Sequence, residues 1–538
     1  MKISGKMVDI HNRDIYPVEI NIVGDLIENI VRVDFAPDIY ILPGLIDAHI
    51  HIESSMITPG AFALTAVKHG TTGVVSDPHE IANVLGIKGV EFMISDSDKV
   101  PLNFFFGAPS CVPATVFETS GATLDPEAVK LLLKKKEIKY LSEMMNYPGV
   151  IYDNTEVLKK LEYAKEERKP VDGHAPGLTG EALRKYVGAG ISTDHECSTL
   201  NEALEKISLG MRILIREGSA AKNLESLKEL FNLCPEKVML CSDDLHPEML
   251  RVRHINKLIS LLISEGYNKF DVIRSATINP SEHYDLNAGL LRMGDKADFV
   301  IVDSLDSMNV KETWIGGSNV FTDGRVKFGY EGAGAINNFN CEAISKADIE
   351  VRNRGGKIRV IDAVEGELLT GEILFSPAKL QSIGQDVSND ILKIVVKDRY
   401  RNAPPAVGFI KGFGLIKGAF ASSIAHDSHN IIAVGADDDD IVNCINEIVR
   451  LKGGLAISSD SEISSVGLNI GGIMTTRSCD EIAEDYDRLN KLAASLGCRM
   501  KAPFMTLSFM ALLVIPDLKI GDQGLFDVKK FEKVSLFV

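Results

Sequence analysis

The middle of the chain, residues 43–285, alternates short apolar runs with stretches that have a helical pattern. Eight of these runs fit buried β-strands, and sequences with helical periodicity separate them. Eight β-then-α units with near-continuous apolar strands are typical of a parallel sheet that closes on itself. The pattern therefore predicts a (β/α)8 TIM-like barrel. Its candidate strands lie in LIDAHIH (45–51), TTGVVSDP (71–78), NFFFGAPSCV (103–112), YLSEMMNYP (140–148), PVDGHAPG (170–177), GISTDHE (190–196), RILIREGS (212–219) and VMLCSDD (238–244).

The two flanks of this barrel region have a different texture, with alternating apolar residues and frequent turn signals. VEINIVGDLIENIVRV is interrupted by Gly24 and Asp25, which predicts a β-hairpin. Similar β-rich runs with Gly-Asp, Gly-Gly and Asp-Gly turns return within 286–328. We therefore expect a small split β-sandwich domain, assembled from residues 1–42 and 286–344.

The remaining residues, 345–538, mix the two kinds of pattern. DDDDIVNCINEIVRLKG and DYDRLNKLAASLG fit helices, and KIRVIDAVEGELLTGEILF and ILKIVVKDRY fit strands. The four aspartates at 437–440 suit a helix N-terminus, where carboxylates complement the helix dipole. At 538 residues the chain is too long for one compact core. The sequence thus predicts an α/β protein whose third part is a C-terminal α+β domain.

Charge and composition exclude several classes of partner. The net charge of −17 would repel a phosphate backbone, so we expect no nucleic acid partner. No run of eighteen apolar residues is present, so we expect no membrane span. The N-terminus lacks the apolar segment of a secretory signal, and the eight cysteines are scattered. These features predict a cytoplasmic protein with reduced thiols.

Two histidines at the end of the first barrel strand raise the question of chemistry. His49 and His51 follow a run of aliphatic residues. Residues i and i+2 of a strand point to the same face, about 7 Å apart along the backbone. Both imidazoles should therefore leave one side of the strand, and Glu53 is the next residue on that face. Taken alone, such a pair is weak grounds for a metal site.

Further imidazoles and carboxylates fall at the ends of other candidate strands. Barrel enzymes build their active sites at the carboxyl ends of the strands, and all these groups are N or O metal ligands. The candidate ligands are His49, His51, Glu143, His174, His195 and Asp243.

This set of ligands is larger than one divalent ion requires. A catalytic tetrahedral metal takes about three protein ligands and a water. The surplus predicts two ions, which Glu143 would bridge, with a shared and strongly acidified water between them. Because no thiolate belongs to the set, manganese, iron and zinc all remain possible. Individually, His174 and His195 also fit hydrogen-bonded structural residues, and Asp243 also fits a helix N-cap.

The ligands and the flanking PGLIDAHIH and ADFVIVDS segments resemble the amidohydrolase superfamily. In that superfamily the ligand on the fourth strand is often a carboxylated lysine, whereas this chain has Glu143, which departs from the hydantoinase and dihydroorotase pattern. A narrower resemblance, to the adenine deaminases, covers nearly the whole chain. It rests on HIHIESSMITPGAF, SDPHEIANVLG, SEMMNYPGV, DGHAPGL, TDHE, CSDDLHP and the C-terminal SSIAHDSHNI.

The resemblance implies hydrolytic deamination of adenine to hypoxanthine and ammonia, a reaction of purine salvage. A metal-activated hydroxide in a binuclear site would attack C6 of the purine. The resemblance implies two divalent metal ions, foremost Mn2+, with Fe2+ or Zn2+ as alternatives. Asp243 would take the hydroxide proton and pass it to the departing amino group. Glu53 or Glu80 would protonate N1, although Glu53 also fits a cap and Glu80 a helix start.

Several polar residues near the predicted site are candidates for binding the purine. For the residues at the end of the seventh strand, the alternative is an ion pair that supports the loop. For the histidines within AHDSHN, the alternative is a hydrogen-bonded turn. A loop with so many polar side chains would also fit a lid over the barrel mouth. The candidates are His79, Arg216, Ser219, His426 and His429. We interpret His69, at a helix end before the second strand, as structural.

Two other functions remain open from the residues alone. The same hydroxide could open a cyclic amide or remove an N-acetyl group, and a barrel of this kind could also act as a non-catalytic scaffold. Scaffolds of this kind usually lose metal ligands, whereas all six are present here. The expected partner is a small molecule, adenine, and barrel enzymes with extra domains often pair, which predicts a homodimer.

Overall fold

The computed structural model describes residues 1–219, 221–378 and 380–538. Its first strands are β1 (Lys2–Asp9), β2 (Asp14–Val23), β3 (Leu26–Arg32) and β4 (Tyr40–Pro43). The predicted hairpin is present, because β2 and β3 pair antiparallel up to Val23 and Leu26. Gly24, at the turn, has a φ of 62°, a conformation that glycine adopts without steric cost.

Each of the eight candidate barrel segments contains a β-strand. The strands are β5 (Leu45–Ile50), β6 (Thr71–Ser76), β7 (Asn103–Ala108), β8 (Ile138–Met144), β9 (Val171–Gly173), β10 (Thr193–Asp194), β11 (Arg212–Arg216) and β12 (Val238–Cys241). The helices around them are α1 (Pro59–Ala66), α2 (His79–Leu85), α3 (Ile87–Ser97), α4 (Pro126–Leu133), α5 (Tyr147–Ile151), α6 (Thr155–Glu166), α7 (Gly180–Gly188), α8 (Leu200–Ser208), α9 (Leu224–Leu227), α10 (Leu230–Leu233), α11 (Pro247–Val252), α12 (Ile255–Ser264), α13 (Lys269–Ser275) and α14 (Ile278–His283).

These strands follow one another around a ring of TIM-barrel type. Strands β5 to β9 form one parallel sheet, and β10 to β12 form a second. A parallel bridge between Val171 and Ile191 joins the two sheets on one side, and a bridge between Ile50 and Asp243 joins them on the other. All eight strands run in the same direction, so their carboxyl ends meet at one rim. This rim carries the candidate ligands.

Strands from the two flanks of the barrel share one eight-stranded sheet. After the barrel come β13 (Phe299–Val302), β14 (Val310–Ile315), β15 (Ser318–Thr322) and β16 (Arg325–Val326). The sheet has the order β16-β15-β14-β13-β4-β1-β2-β3. Strand β13 pairs antiparallel with β4, which joins the two flanks. The rings of Phe299 and Trp314 stack in its core, with centroids 5.4 Å apart.

The C-terminal part combines a second eight-stranded sheet with helices. The elements are β17 (Val351–Arg352), β18 (Ile358–Ala363), β19 (Thr370–Phe375), β20 (Ser382–Ile383), β21 (Leu392–Lys397), β22 (Ala406–Lys411), β23 (Ala419–Ser422), β24 (Ile431–Gly435), α15 (Asp438–Leu451), β25 (Gly454–Ser459), β26 (Glu462–Gly467), α16 (Cys479–Ser495), α17 (Pro503–Phe509), β27 (Leu518–Gly521), β28 (Gly524–Asp527) and β29 (Glu532–Lys533). The sheet order is β19-β18-β22-β21-β24-β23-β25-β26. As predicted, the four aspartates at 437–440 lie at the N-terminus of a helix, α15, and the Asp437 side chain accepts a hydrogen bond from Asp440 N.

The C-terminal part packs directly on the barrel. Backbone hydrogen bonds join Thr58 N to Thr475 O and Thr475 N to Met56 O. The buried apolar side chains of the two parts form one continuous cluster that includes Ile81 from α2 and Ile470. A barrel without residues 345–538 would therefore expose a large apolar surface. Within the described residues, the chain contains no helix whose length and hydropathy would allow it to cross a bilayer.

Candidate metal centre and active site

The structure brings the six predicted ligands together at the carboxyl rim. Asp243 Oδ1 lies 3.5 Å from His49 Nε2 and 3.2 Å from His51 Nε2. Glu143 Oε1 lies 3.3 Å from the same His51 nitrogen. Three strand ends thus contribute the first set of donors, because His49 and His51 are at the end of β5, Glu143 in β8 and Asp243 just after β12.

Glu143 also belongs to a second set of donors. Its other oxygen, Oε2, lies 2.7 Å from His174 Nδ1 and 3.2 Å from His195 Nε2. The donor atoms of Glu143, His174 and His195 all lie within 4.8 Å of one another. A single carboxylate therefore has one oxygen in each set, which is the arrangement expected of a bridging ligand.

The hydrogen bonding of the histidines fits a metal ion. Both ring nitrogens of His49 and Nε2 of His174 are buried without a hydrogen-bond partner among the described residues. Buried polar groups are otherwise almost always paired. The ring Nδ1–H of His51 donates to Asp77 O at 3.1 Å, which leaves Nε2 free to act as a ligand. The donor set, imidazole and carboxylate without thiolate, suits divalent transition metals.

A buried carboxylate, Asp47, aligns the two strands that carry the first set. Its Oδ1 accepts hydrogen bonds from His49 N at 3.3 Å and from Ser242 N at 3.0 Å. Its Oδ2 accepts from Ser242 Oγ at 2.5 Å and contacts His254 Nε2 at 2.9 Å. Asp47 therefore holds the end of β5 against the end of β12, beside Asp243.

Arg216 supports Asp243 from the side away from His49. Its Nη1 donates to Asp243 Oδ2 at 2.8 Å, both Nη atoms donate to Glu196, and Nε donates to Ala221 O at 2.6 Å. Arg216 lines the cavity, but its N–H groups already donate to protein acceptors. This arrangement agrees with the alternative prediction, an ion pair at the end of the seventh strand, rather than with binding of the purine. Burial opposes the ionisation of Asp243, but Arg216 and the neighbouring histidines together outweigh it, so the pKa of Asp243 lies well below its usual range.

Glu53 does not share the strand face of His49 and His51. Strand β5 ends at Ile50, and residues 52–55 form a 3₁₀ turn, so the alternation of the strand does not extend to Glu53. Its Oε1 accepts a hydrogen bond from Ile81 N at 3.1 Å. Burial raises the pKa of Glu53 to about 7. Glu53 lies outside the residues that line the cavity.

Ser219 is also turned away from the cavity. Its amide donates to Asp244 O at 2.8 Å, and its hydroxyl accepts from His246 N at 2.9 Å. Ser219 is absent from the cavity lining formed by described residues. These contacts fasten the loop after β11 to the loop after β12. His69, which we interpreted as structural, contacts Leu250 O through Nε2 at 2.8 Å.

Glu80 connects the barrel to the C-terminal AHDSHN loop. Its Oε1 contacts His426 Nδ1, and its Oε2 lies 2.5 Å from His429 Nε2. Burial opposes the ionisation of Glu80, but the two histidines outweigh it and lower its pKa well below the usual range. Burial would lower the pKa of His426, yet Glu80 raises it to about 9, whereas burial lowers the pKa of His429 to about 4.

Among the predicted purine-binding and proton-transfer residues, His79, Glu80 and His426 line the cavity. His429 is not part of the lining and contacts Glu80 instead. The C-terminal part also contributes a carboxylate to the cavity lining, Asp427, whose Oδ1 lies 3.9 Å from His79 Nε2. The other wall is apolar and comes mostly from the C-terminal part. Its residues are Met145, Leu368, Phe509, Leu512, Val514 and Ile515.

Two polar residues of the cavity, Glu196 and Asp244, were not among the predicted site residues, whereas a third, Asp427, belongs to the AHDSHN loop that the sequence places over the barrel mouth. Glu196 and Asp244 each follow a predicted ligand, in TDHE and CSDD, so the signal was present in the sequence. Strands β10 and β12 end at Asp194 and Cys241, so these residues lie in loops where strand alternation no longer applies. The apolar wall had no local signal.

A barrel whose rim holds two adjoining sets of imidazoles and carboxylates defines the class of metal-dependent hydrolases. The family model described as "Amidohydrolase family" matches residues 40–320, and the one described as "Adenine deaminase C-terminal domain" matches residues 367–532.

Curated relatives extend this match over the whole chain. "Adenine deaminase" of Methanosarcina barkeri is 54% identical over 93% of this chain and 92% of its own length. "Adenine deaminase" of Methanosarcina mazei is 52% identical over 100% and 99%. The protein of that name from Salinibacter ruber is 49% identical over 100% and 99%. The chain therefore belongs to the adenine deaminase family, within the amidohydrolases.

Proposed function

We propose that the chain hydrolyses adenine to hypoxanthine and ammonia, as an enzyme of purine salvage. The observation that carries the reaction type is the pair of donor sets that share Glu143, with His49 and Asp243 in one and His174 and His195 in the other. The substrate follows from the full-length similarity to adenine deaminases. The cavity beside the ligands has an apolar wall and polar edges, as a planar heterocycle requires.

The cofactor is a pair of divalent cations. The donor set accommodates Mn2+, Fe2+ and Zn2+ alike, and the resemblance to adenine deaminases places Mn2+ first among them. His49, His51, Asp243 and Glu143 would hold one ion, and Glu143, His174 and His195 the other. When bound, the ions would acidify the attacking water and stabilise the negative charge that develops during attack.

Asp243 is suited to move the proton of the attacking water. One of its oxygens, Oδ1, faces His49 and His51, while Arg216 holds the other at 2.8 Å. The guanidinium thereby fixes the orientation of the carboxylate and, together with the histidines, keeps it ionised. We assign Asp243 the role of general base towards water and then of general acid towards the leaving amino group.

The structure favours Glu80 over Glu53 as the group that protonates purine N1, because Glu80 lines the cavity. Its contact with His426, whose pKa is about 9, places a protonated imidazolium beside it at neutral pH. Glu80 itself is ionised at rest, because its pKa lies well below the usual range, so a proton for N1 has to pass from His426 through Glu80.

Exchange of Glu80 and Glu53 for glutamine should separate the two candidates. Glu80→Gln should lower kcat by roughly 100-fold, because an amide cannot deliver a proton. Glu53→Gln keeps an acceptor for Ile81 N and should change kcat less than threefold. Steady-state turnover of adenine by both variants measures the difference. Equal losses of kcat in the two variants, or a larger loss for Glu53→Gln, would contradict the assignment of this role to Glu80.

The proposed reaction is tested by the products that the purified chain releases. We expect ammonia and hypoxanthine in equal amounts from adenine, measured by coupled ammonia assay and chromatography. N-acetylated sugars and cyclic amides serve as comparison substrates, because the same ligand set could attack their carbonyl groups. Release of acetate or of a ring-opened acid, without ammonia from adenine, would refute deamination in favour of another amidohydrolase reaction.

The division into domains is part of the same proposal. Pairing of β4 with β13 joins strands from residues 1–42 and 286–344 in one eight-stranded sheet, which supports one split β domain outside the barrel at 43–285. Its architecture as a β-sandwich stays a prediction from the sequence. The sheet and helices after residue 345 support a C-terminal α+β domain at 345–538. Assembly as a homodimer and a cytoplasmic location stay predictions from the sequence.

A further inference from the structure

The loop of residues 422–431 contributes the carboxylate of Asp427 to the cavity, and one oxygen of this carboxylate has no hydrogen-bond partner among the described residues. Asp427 Oδ2 is buried and has no hydrogen-bond partner among the described residues. An unpaired buried carboxylate oxygen is costly, and a ligand that supplies a hydrogen-bond donor would satisfy it. Asp427 is among the residues that line the cavity.

The rest of this loop is firmly held, so Asp427 cannot easily turn to another donor. Ser428 Oγ donates to Glu118 Oε2 at 2.6 Å, and Asn430 Nδ2 donates to Thr119 O at 2.8 Å. Tyr400 OH donates to Ser428 O at 2.6 Å. Together with the contacts of Glu80, these bonds fix the loop on both sides of Asp427.

Asp427 stands at a defined position relative to the metal ligands. The His79 ring lies between them, with Nδ1 3.4 Å from Glu143 Oε1 and Nε2 3.9 Å from Asp427 Oδ1. One imidazole ring therefore separates Asp427 from the bridging carboxylate. A purine whose C6 faces Glu143 would reach Asp427 with a more distant part of its ring system.

The apolar wall keeps such a ligand flat in the cavity. Phe509, Leu512 and Leu368 line it, and the rings of His426 and Phe509 are stacked, with centroids 4.8 Å apart and planes 11° from parallel. The amino group of adenine is attached to C6 and must lie near the ligands. The other donor of a free purine base is the N–H of its imidazole ring, which a nucleoside substituted at N9 lacks.

We propose that Asp427 accepts a hydrogen bond from the imidazole-ring N–H of the purine and so selects the free base over N9-substituted purines. The inference rests on the proposed deamination of adenine, because that reaction fixes which end of the purine faces the ligands. The C-terminal domain thereby contributes the residue that determines specificity, in addition to closing the cavity.

The test compares the binding of two purines that have no amino group to lose, the product hypoxanthine and 9-methylhypoxanthine, by titration calorimetry with the metal-loaded full chain. The unaltered chain should bind hypoxanthine at least tenfold more tightly. Asp427→Ala should weaken hypoxanthine binding by roughly 10- to 100-fold, the usual effect of losing a hydrogen bond to a charged group. It should leave 9-methylhypoxanthine within threefold, so that the preference collapses.

Two further variants control for indirect effects. Asp427→Asn preserves the size of the side chain but not its charge and should keep part of the preference. Asp460→Asn changes a 77% exposed carboxylate of the same domain, paired with Lys417, and should bind both ligands as the unaltered chain does. Metal content and thermal unfolding of all variants should agree, which shows that the loop has not collapsed.

The outcomes separate this inference from the proposed reaction. Equal weakening of both ligands in Asp427→Ala, or an unchanged affinity for hypoxanthine, would overturn the role of Asp427 even if the chain deaminates adenine. Absence of any preference in the unaltered chain would overturn it as well. Ammonia release from adenine is measured separately, so failure of the reaction is recognised by its own assay.

Discussion

Exhaustive removal of divalent cations should reduce the deamination of adenine to the background rate, and restoring Mn2+ should recover it. The reason lies in the histidines, because both ring nitrogens of His49 and one of His174 are buried without hydrogen-bond partners among the described residues. A cation bound to Nε2 of His49 supplies a partner that this nitrogen lacks, and it provides the acidity that the attacking water needs. We expect about two ions per chain at full activity, as the shared carboxylate of Glu143 implies.

The measurement combines dialysis against a chelator, metal analysis by plasma mass spectrometry and ammonia release after each addition of Mn2+, Fe2+ or Zn2+. Activity should follow the ion content and reach its plateau at two equivalents. The melting temperature should fall on chelation and return on reloading, because ions that bind only the folded chain stabilise it. Full activity in a chain shown to be metal-free would contradict the whole account of the site.

The ligands were predictable from the sequence because two simple rules suffice to place them. Strand alternation puts His49 and His51 on one face, and the parallel barrel brings the ends of distant strands to the same rim. Glu143, His174, His195 and Asp243 then need only a correct strand assignment, which the apolar runs provide. Strand alternation does not place Glu53, because the chain leaves the strand and enters a 3₁₀ turn there.

The purine-facing half of the cavity was much less predictable. Leu368, Phe509 and Ile515 are more than a hundred residues from the last barrel strand, and only the packing of the C-terminal domain brings them to the rim. No local pattern distinguishes an apolar residue of a binding wall from one of an ordinary core. The AHDSHN loop stands out in the sequence because its polar residues interrupt apolar strands, whereas its contact with Glu80, more than 300 residues away, depends on the packing of the two domains.

Replacement of Asp243 by asparagine should lower kcat for adenine by roughly 10²- to 10⁴-fold, the usual contribution of a positioned acid or base. Asparagine keeps one oxygen towards His49 and His51, so the ions can remain, but it cannot take up the proton of the attacking water. The loss should appear in kcat with little change in KM, because the residue acts on the reacting atoms. A variant that keeps kcat within threefold of the unaltered chain would end the assignment.

The same substitution must be distinguished from a simple loss of metal, since Asp243 Oδ1 belongs to the first donor set. Metal content is therefore measured for each preparation, and turnover is normalised to fully loaded protein. Arg216→Lys is the comparison variant. It weakens the hydrogen bond to Asp243 Oδ2, which is 2.8 Å long in the unaltered chain, and leaves the ligand oxygen Oδ1 unchanged. If Asp243 moves the proton, the lysine variant should lose roughly tenfold in kcat, less than Asp243→Asn, and it should retain a response to pH that the asparagine variant has lost.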